Sequence, residues 1–148
     1  NTMKKYIPLL ALLLLIMGIS ACRKHDTYKK YPSPDWTEDN TGKYPVSMTA
    51  VVQLTEELQP YLLPTDKMAA FIKGECRGWG VLVKVNADTS VFYVLIHGTA
   101  DEQEKISFKY YSGRTSYIYT TDDFLTFQVD SNYGTADDPK MLFLKPTK

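Results

Sequence analysis

Apolar and polar side chains alternate along much of the chain after Pro45, and a period of two is typical of β-strands with one buried face. The longest such run places one set of residues on a single face: Val46, Met48, Ala50, Val52 and Leu54. Shorter runs, separated by turn residues, follow at 68–72, 75–85, 91–97, 105–111, 115–120, 124–129 and 141–144. The pattern therefore predicts an all-β fold of about eight strands, and the spacing favours an antiparallel two-sheet sandwich.

The runs at 105–111 and 115–120 flank Ser112-Gly113-Arg114, which predicts a hairpin with a three-residue loop. Pairing Tyr111 with Thr115 would place Phe108 opposite Ile118 on the core side. The opposite side would then present candidate ligand-binding residues: Lys109, Tyr111, Tyr117 and Tyr119. Rigid aromatic rings bind sugar or peptide surfaces at little entropic cost. The alternative is that these rings only stabilise the hairpin by cross-strand pairing.

Three further expectations concern the central runs. Trp79 shares its parity with Val81, which predicts a core position. The run 91–97 is apolar on both parities, which predicts a strand that lies at the sheet centre or is covered on both faces. Cys76 is expected to be a buried small hydrophobic residue. Glu75 and Arg77 share a strand face, so we expect a surface ion pair worth about 0–1 kcal/mol.

The first 21 residues have the organisation of a secretory signal peptide. Lys4 and Lys5 precede an apolar run from Ile7 to Ile19, which ends in small residues. The run is shorter than the roughly 20 apolar residues that a membrane-spanning helix needs, so we expect the segment to be removed. Met3 is the expected start of translation.

The residues Ile19-Ser20-Ala21-Cys22 resemble the lipobox of bacterial lipoproteins, an aliphatic residue and two small ones before a cysteine. This resemblance implies that Cys22 becomes the lipidated first residue of the mature protein. Several acyl chains on one cysteine make a stable anchor, whereas a single chain holds only marginally. The alternative is an ordinary secreted protein in which this cysteine is coincidental.

Charge and composition divide the chain into a signal peptide at 1–21, the lipidated cysteine with a polar tether at 22–44, and a sandwich domain at 45–148, Ig-like or jelly-roll-like. Segment 23–30 carries four basic residues and one acidic residue, whereas 31–148 carries 11 basic and 16 acidic residues. A basic stem beside lipid and a mildly acidic head follow from this distribution. The acidic head argues against a nucleic-acid partner, because phosphate binding needs a basic surface.

Three segments together resemble a small all-β module of lipoproteins and large surface proteins in Bacteroidetes-type bacteria. They are Met48-Thr49-Ala50-Val51-Val52, the run Ala69-Ala70-Phe71-Ile72-Lys73-Gly74-Glu75-Cys76-Arg77-Gly78, and Phe108-Lys109-Tyr110-Tyr111. The resemblance implies no established catalysis. Surface-exported lipoproteins of such bacteria tend to carry acidic residues after the cysteine, whereas here Arg23, Lys24 and His25 follow it. Both the cell surface and the periplasmic side of the outer membrane therefore stay open.

No pattern in the sequence predicts a catalytic site, a metal site or a cofactor. His25 and His97 have no metal-ligand spacing, and the acidic loop at 130–138 lacks the spacing of a calcium loop. We therefore expect a lipid-anchored, non-enzymatic module of the outer membrane that binds glycan or a protein partner. The alternative is a structural subunit of an envelope or surface assembly.

Overall fold

A computed structural model describes residues 27–148, so the predicted signal peptide and Cys22 lie outside the described residues. Ten strands form: β1 Val46–Gln53, β2 Lys67–Ile72, β3 Glu75–Lys84, β4 Ser90–Gly98, β5 Lys105–Ser112, β6 Tyr117–Thr120, β7 Leu125–Thr126, β8 Asn132–Tyr133, β9 Lys140–Met141 and β10 Lys145–Pro146. The connection from β1 to β2 contains one 3-10 turn, Gln59–Tyr61. Within 27–148, no helix has the length and apolar character needed to cross a membrane.

The strands form one curled, mixed sheet in the order β10-β6-β5-β2-β3-β4-β1-β8, with β7 beside β5 and β9 beside β1. The long strands pair antiparallel, whereas β8 and β9 run parallel to β1. The predicted all-β class is confirmed.

The inner face of this sheet encloses the main core. β1 contributes the face that its alternation predicts, with Met48, Ala50, Val52 and Leu54 all buried. β2, β4 and β5 add every second residue of their own: Met68, Ala70 and Ile72; Phe92, Val94 and Ile96; Ile106, Phe108 and Tyr110. Burial of these side chains is the main source of stability, at about 1.5–3 kcal/mol for each large apolar residue.

A bulge in β3 places both Cys76 and Trp79 on the outer face of the sheet, although they differ in parity. Phe71 pairs with Cys76 but Ala70 pairs with Gly78, so Arg77 is an extra residue on β3. Beyond the bulge, Gly78 and Gly80 face the interior and Trp79 faces outward. The predicted core position of Trp79 is therefore wrong, because 56% of this residue is exposed.

The outer face of β4 is also more open than predicted. Val91 is fully buried, but Tyr93 is half-buried and Leu95 is 47% exposed. Coverage of both faces therefore holds only near the start of this strand. β4 does lie inside the sheet, between β3 and β1, which agrees with the other alternative, a central strand.

The register of the β5–β6 hairpin differs by three residues from the prediction. Tyr111 pairs with Ile118 rather than with Thr115, and Tyr110 pairs with Tyr119. The loop has four residues because Ser116 adopts a left-handed conformation, φ 60°, and donates its N–H to the Ser112 carbonyl oxygen at 2.8 Å. A shift by an odd number moves every β6 side chain to the opposite face.

Residues 27–44, predicted as part of an extended tether, contain no strand and lie across the outer face of the sheet; we call them the N-terminal strap. Tyr31 donates its N–H to the Ser116 carbonyl oxygen at 2.8 Å, and Lys67 Nζ donates to the Pro34 carbonyl oxygen at 2.6 Å. Trp36 packs edge-on against Phe71, with ring centres 5.7 Å apart. The strap is therefore held along its length, and the division into tether and domain at residue 45 stays a prediction.

Candidate functional site

The four residues predicted to form an outward ligand-binding face do not share one face. Tyr111 lies on the outer face but is only 6% exposed, and its hydroxyl donates to the Tyr31 carbonyl oxygen of the strap at 3.5 Å. Lys109 Nζ lies 4.6 Å from the centre of the Phe71 ring on that same face. Tyr117 and Tyr119 point to the inner-face side, as the observed register requires. Ligand binding by these residues stays a prediction, without the common surface on which it was based.

The outer face of β3 and β4 carries the most prominent group of exposed apolar side chains on the long strands. Its members are Trp79, Val81, Val83, Val85 and Leu95, each at least 37% exposed. Tyr93, opposite Val81 in the register, extends this surface. The strap covers the outer face of β2 and β5 but leaves these side chains uncovered. An uncovered apolar surface of this type is typical of a binding site.

Three shallow depressions, of about 350, 500 and 460 Å³, meet at Trp79. The first is bounded by Asp35, Trp36 and Lys67, and the second by Asn40 and other polar residues of the strap. The third is mostly apolar and includes Val81, Tyr93 and Leu95. Trp79 thus stands between a polar rim and an apolar floor, and we call the residues around it the Trp79 site: Asp35, Trp36, Glu38, Asn40, Lys67, Trp79, Tyr93 and His97.

Glu38 fixes the strap beside Trp79. One carboxylate oxygen accepts the backbone N–H of Trp79 at 3.1 Å, and the other lies 2.9 Å from Nδ1 of His97 on β4. Because Trp36 and Glu38 are two residues apart in an extended segment, both reach the sheet, one at Phe71 and one at Trp79. A single carboxylate therefore connects the strap, β3 and β4 at the edge of the site.

Arg77 supports the site from beneath; its predicted ion pair with Glu75 is present, with Nε 3.9 Å from Oε2, but the arginine is buried rather than at the surface. Its guanidinium carbon lies 3.5 Å from the centre of the Tyr44 ring, and Nη1 donates to Glu102 Oε2 at 3.1 Å and to the His97 carbonyl oxygen at 3.3 Å. Glu75 is farther away, at 3.9 Å, and accepts a 2.7 Å hydrogen bond from Tyr44 instead. The bulge provides the reason, because it turns Arg77 toward the strap.

Cys76 and Asp66 have structural roles in the described part of the chain. Cys76 is buried between the sheet and the strap, as predicted, and burial raises the pKa of its thiol. Asp66 is buried and accepts hydrogen bonds from the Leu63 N–H at 2.9 Å, the Gly113 N–H at 2.8 Å and the Tyr110 hydroxyl. No group of three His, Cys, Asp or Glu side chains within residues 27–148 is placed to hold a metal ion.

The chain matches no protein-family model, no curated protein and no solved structure. The sequence pattern assigned Trp79 to the core because Trp79 shares its parity with Val81, but in the structure both side chains are exposed on the outer face. The sequence did not predict Trp36 and Glu38 as site residues, because the strap has no apolar periodicity. Their spacing of two is the available signal, since residues two apart in an extended segment lie on the same side.

Proposed function

We propose that the protein is a lipid-anchored, non-enzymatic binding module of the outer membrane, on its periplasmic side or at the cell surface, and that it binds glycan at the Trp79 site. The observation that carries the proposal is the 56% exposure of Trp79 on a central strand, beside half-buried Trp36 and a polar rim. The resemblance of residues 19–22 to a lipobox supports the anchor. We further propose that the curled sheet is a two-sheet sandwich in which β1 and β4 face β2 and β5 across the core.

The chemistry around Trp79 suits a sugar better than a purely apolar ligand. Ligand sites combine an apolar platform with a few polar groups that fix orientation. Here the platform is aromatic, and the rim offers carboxylate, amide and ammonium groups from Asp35, Asn40 and Lys67. Trp79 loses little entropy on binding, since its backbone is held in β3 and a tryptophan side chain has only two torsions.

The second candidate is a structural subunit of an envelope assembly. It is favoured by the aliphatic part of the exposed surface, Val81, Val83 and Leu95, which offers no hydrogen-bonding groups. Surfaces of this kind mark protein contacts.

Titration of the protein against a glycan panel tests the first candidate. Trp79→Ala should weaken binding at least tenfold, which corresponds to about 1.4 kcal/mol or more for an aromatic side chain at the centre of an interface. Phe143→Ala is the matched control, because Phe143 is 77% exposed and lines a different depression, with Phe124 and Tyr133. Tyr117→Ala tests the hairpin residues separately.

If the wild type binds no glycan, or if Trp79→Ala binds as well as wild type, the glycan proposal is wrong. A stoichiometric protein partner that is recovered from membranes, resists sugar competition and is lost in Trp79→Ala would support the structural subunit instead.

A further inference from the structure

The N-terminal strap begins at one edge of the sheet and at one end of its strands. Tyr28 packs edge-on against Tyr117 with ring centres 5.6 Å apart, and Lys29 donates its N–H to the Thr147 carbonyl oxygen at 3.3 Å. Tyr117 opens β6, directly after the loop at 113–116. The described chain therefore starts beside the β5–β6 loop and the edge strand β10.

Only six residue steps separate Cys22 from Tyr28, so the chain between them spans at most about 21 Å. A folded domain of this length has a radius of gyration of about 14 Å, which corresponds to roughly 35 Å across. Even fully extended, the segment from Cys22 to Tyr28 is therefore shorter than the folded domain is wide. If Cys22 carries the lipid anchor, as the proposed function holds, the end of the molecule at which the strap starts cannot lie on the side of the head that faces away from the bilayer.

That end carries three exposed cations and three tyrosines, of which Tyr61 is exposed and Tyr28 and Tyr117 are half-buried. We call this group the anchor-end patch: Tyr28, Lys29, Lys30, Tyr61, Arg114 and Tyr117. Lys29, Lys30 and Arg114 are exposed, and none of the three forms an ion pair with a carboxylate of residues 27–148. Arg114 lies over Tyr61, 5.4 Å from its ring centre, and Tyr61 is itself 55% exposed.

We propose that the anchor-end patch docks on a membrane surface of anionic phospholipid headgroups, so that the folded head lies against the bilayer rather than hanging from a free tether. Lysine and arginine side chains are attracted to anionic headgroups. Tyrosine is enriched at the membrane–water interface, where its ring meets both environments. The patch combines both residue types within reach of the anchor.

The distribution of acidic residues sets the tilt of the docked head. Glu56, Glu57 and Asp88 lie at the same end of the strands, but they follow β1 or occupy the β3–β4 turn. These strands are several positions from β6 in the sheet order. The head therefore contacts lipid with its β6–β10 side and holds β1 and the β3–β4 turn away from it.

Vesicle binding by the unlipidated chain tests this surface independently of the anchor. The protein is residues 22–148 with Cys22→Ser, and the probes are vesicles of phosphatidylcholine alone and of phosphatidylcholine and phosphatidylglycerol in equal parts. This chain has 15 basic and 17 acidic residues, so a preference for the anionic vesicles requires a local patch. We expect that preference, and we expect salt to weaken it, because the Debye length is about 10 Å at 0.1 M.

The triple change Lys29→Gln, Lys30→Gln and Arg114→Gln should lower anionic vesicle binding about a hundredfold, at about fivefold for each charge. The matched control neutralises three exposed lysines at the opposite end of the strands: Lys43→Gln, Lys73→Gln and Lys105→Gln. Arg114→Gln alone should weaken binding to anionic vesicles about fivefold. Because Arg114 lies in the folded head, this loss distinguishes binding by the head from binding by the stem at Arg23 and Lys24.

No preference of the unlipidated chain for anionic vesicles would overturn the proposal, and so would an equal loss in the control. Loss with Arg23→Gln and Lys24→Gln but not with Arg114→Gln would assign the binding to the stem and also overturn it. Failure of the lipid anchor itself would appear separately, as missing fatty-acid labelling of the protein with Cys22 intact.

Discussion

At the scale of single residues, Asp66 and Tyr110 form the most constrained polar contact of the core. Both are buried, and the Asp66 carboxylate accepts the Tyr110 hydroxyl together with two backbone N–H groups. Hydrogen bonds to a charged acceptor contribute about 1.5–3 kcal/mol each. This contact ties the loop before β2 to the β5–β6 loop, and so supports the end of the molecule that carries the anchor-end patch.

Tyr110 should make the folded state less stable at alkaline pH. Burial first, and then the hydrogen bond to Asp66, raise the pKa of Tyr110 far above its usual value of about 10. A raised folded-state pKa stabilises the fold below the unfolded value, and this contribution is lost as pH rises above about 10, where the unfolded chain releases the proton first.

Urea unfolding of wild type and Tyr110→Phe across this range measures the effect. We expect the unfolding free energy of the wild type, relative to that of Tyr110→Phe, to fall by about 1.4 kcal/mol per pH unit above pH 10, because only the wild type has this proton to lose. Cys76 is present in both proteins, so its own raised pKa cancels in the comparison. Identical pH dependences of the two proteins would contradict the assignment.

At the scale of elements, the sequence predicted those strands whose alternation is regular and failed where one backbone feature changes the parity. β1 has its predicted inner face because no bulge or turn interrupts it. In β3 the extra residue Arg77 reverses all that follows, and in β6 the left-handed Ser116 lengthens the loop. Neither feature has a signal in residue type, since arginine and serine are not typical of those positions. The outward position of Trp79 beside Cys76 follows from the first shift, and the inward position of Tyr117 and Tyr119 follows from the second.

Gly78 is the point at which the bulge is packed against β4. A β-carbon at this position would lie 2.2 Å from the Leu95 carbonyl oxygen, a backbone atom that cannot move aside. Gly78→Ala should therefore destabilise the protein by about 3 kcal/mol or more, at the upper end of overpacking effects. Gly80→Ala meets side chains at 3.1 and 3.2 Å and should cost less.

Chemical denaturation of the two variants, with the exposed Lys84→Ala on the same strand as control, tests this order. Lys84→Ala should stay within about 0.5 kcal/mol of wild type. A Gly78→Ala protein as stable as wild type would show that β3 does not approach β4 this closely.

At the scale of the whole molecule, the strap links the proposed anchor to the Trp79 site. It starts at the anchor-end patch, crosses β2 above Phe71 and reaches Trp79 through Glu38 before entering β1. The same segment thus forms the polar rim of the candidate site and, under the proposed anchoring, leads from it toward the lipid. Because residues 28–38 are held by hydrogen bonds and ring contacts, the distance from Tyr28 to the Trp79 site is set by the fold.

In cells, the acyl chains on Cys22 should contribute far more to membrane binding than the anchor-end patch does. Each buried methylene of an acyl chain contributes about 0.8 kcal/mol, so several chains outweigh three surface charges at about 1 kcal/mol each. Cys22→Ser should therefore move the protein out of the membrane fraction and abolish fatty-acid labelling. Lys29→Gln, Lys30→Gln and Arg114→Gln together should leave the labelled protein in that fraction. Persistent labelling of Cys22→Ser would disprove the lipobox interpretation, whereas release of the labelled triple variant would show that acyl chains alone do not hold the protein.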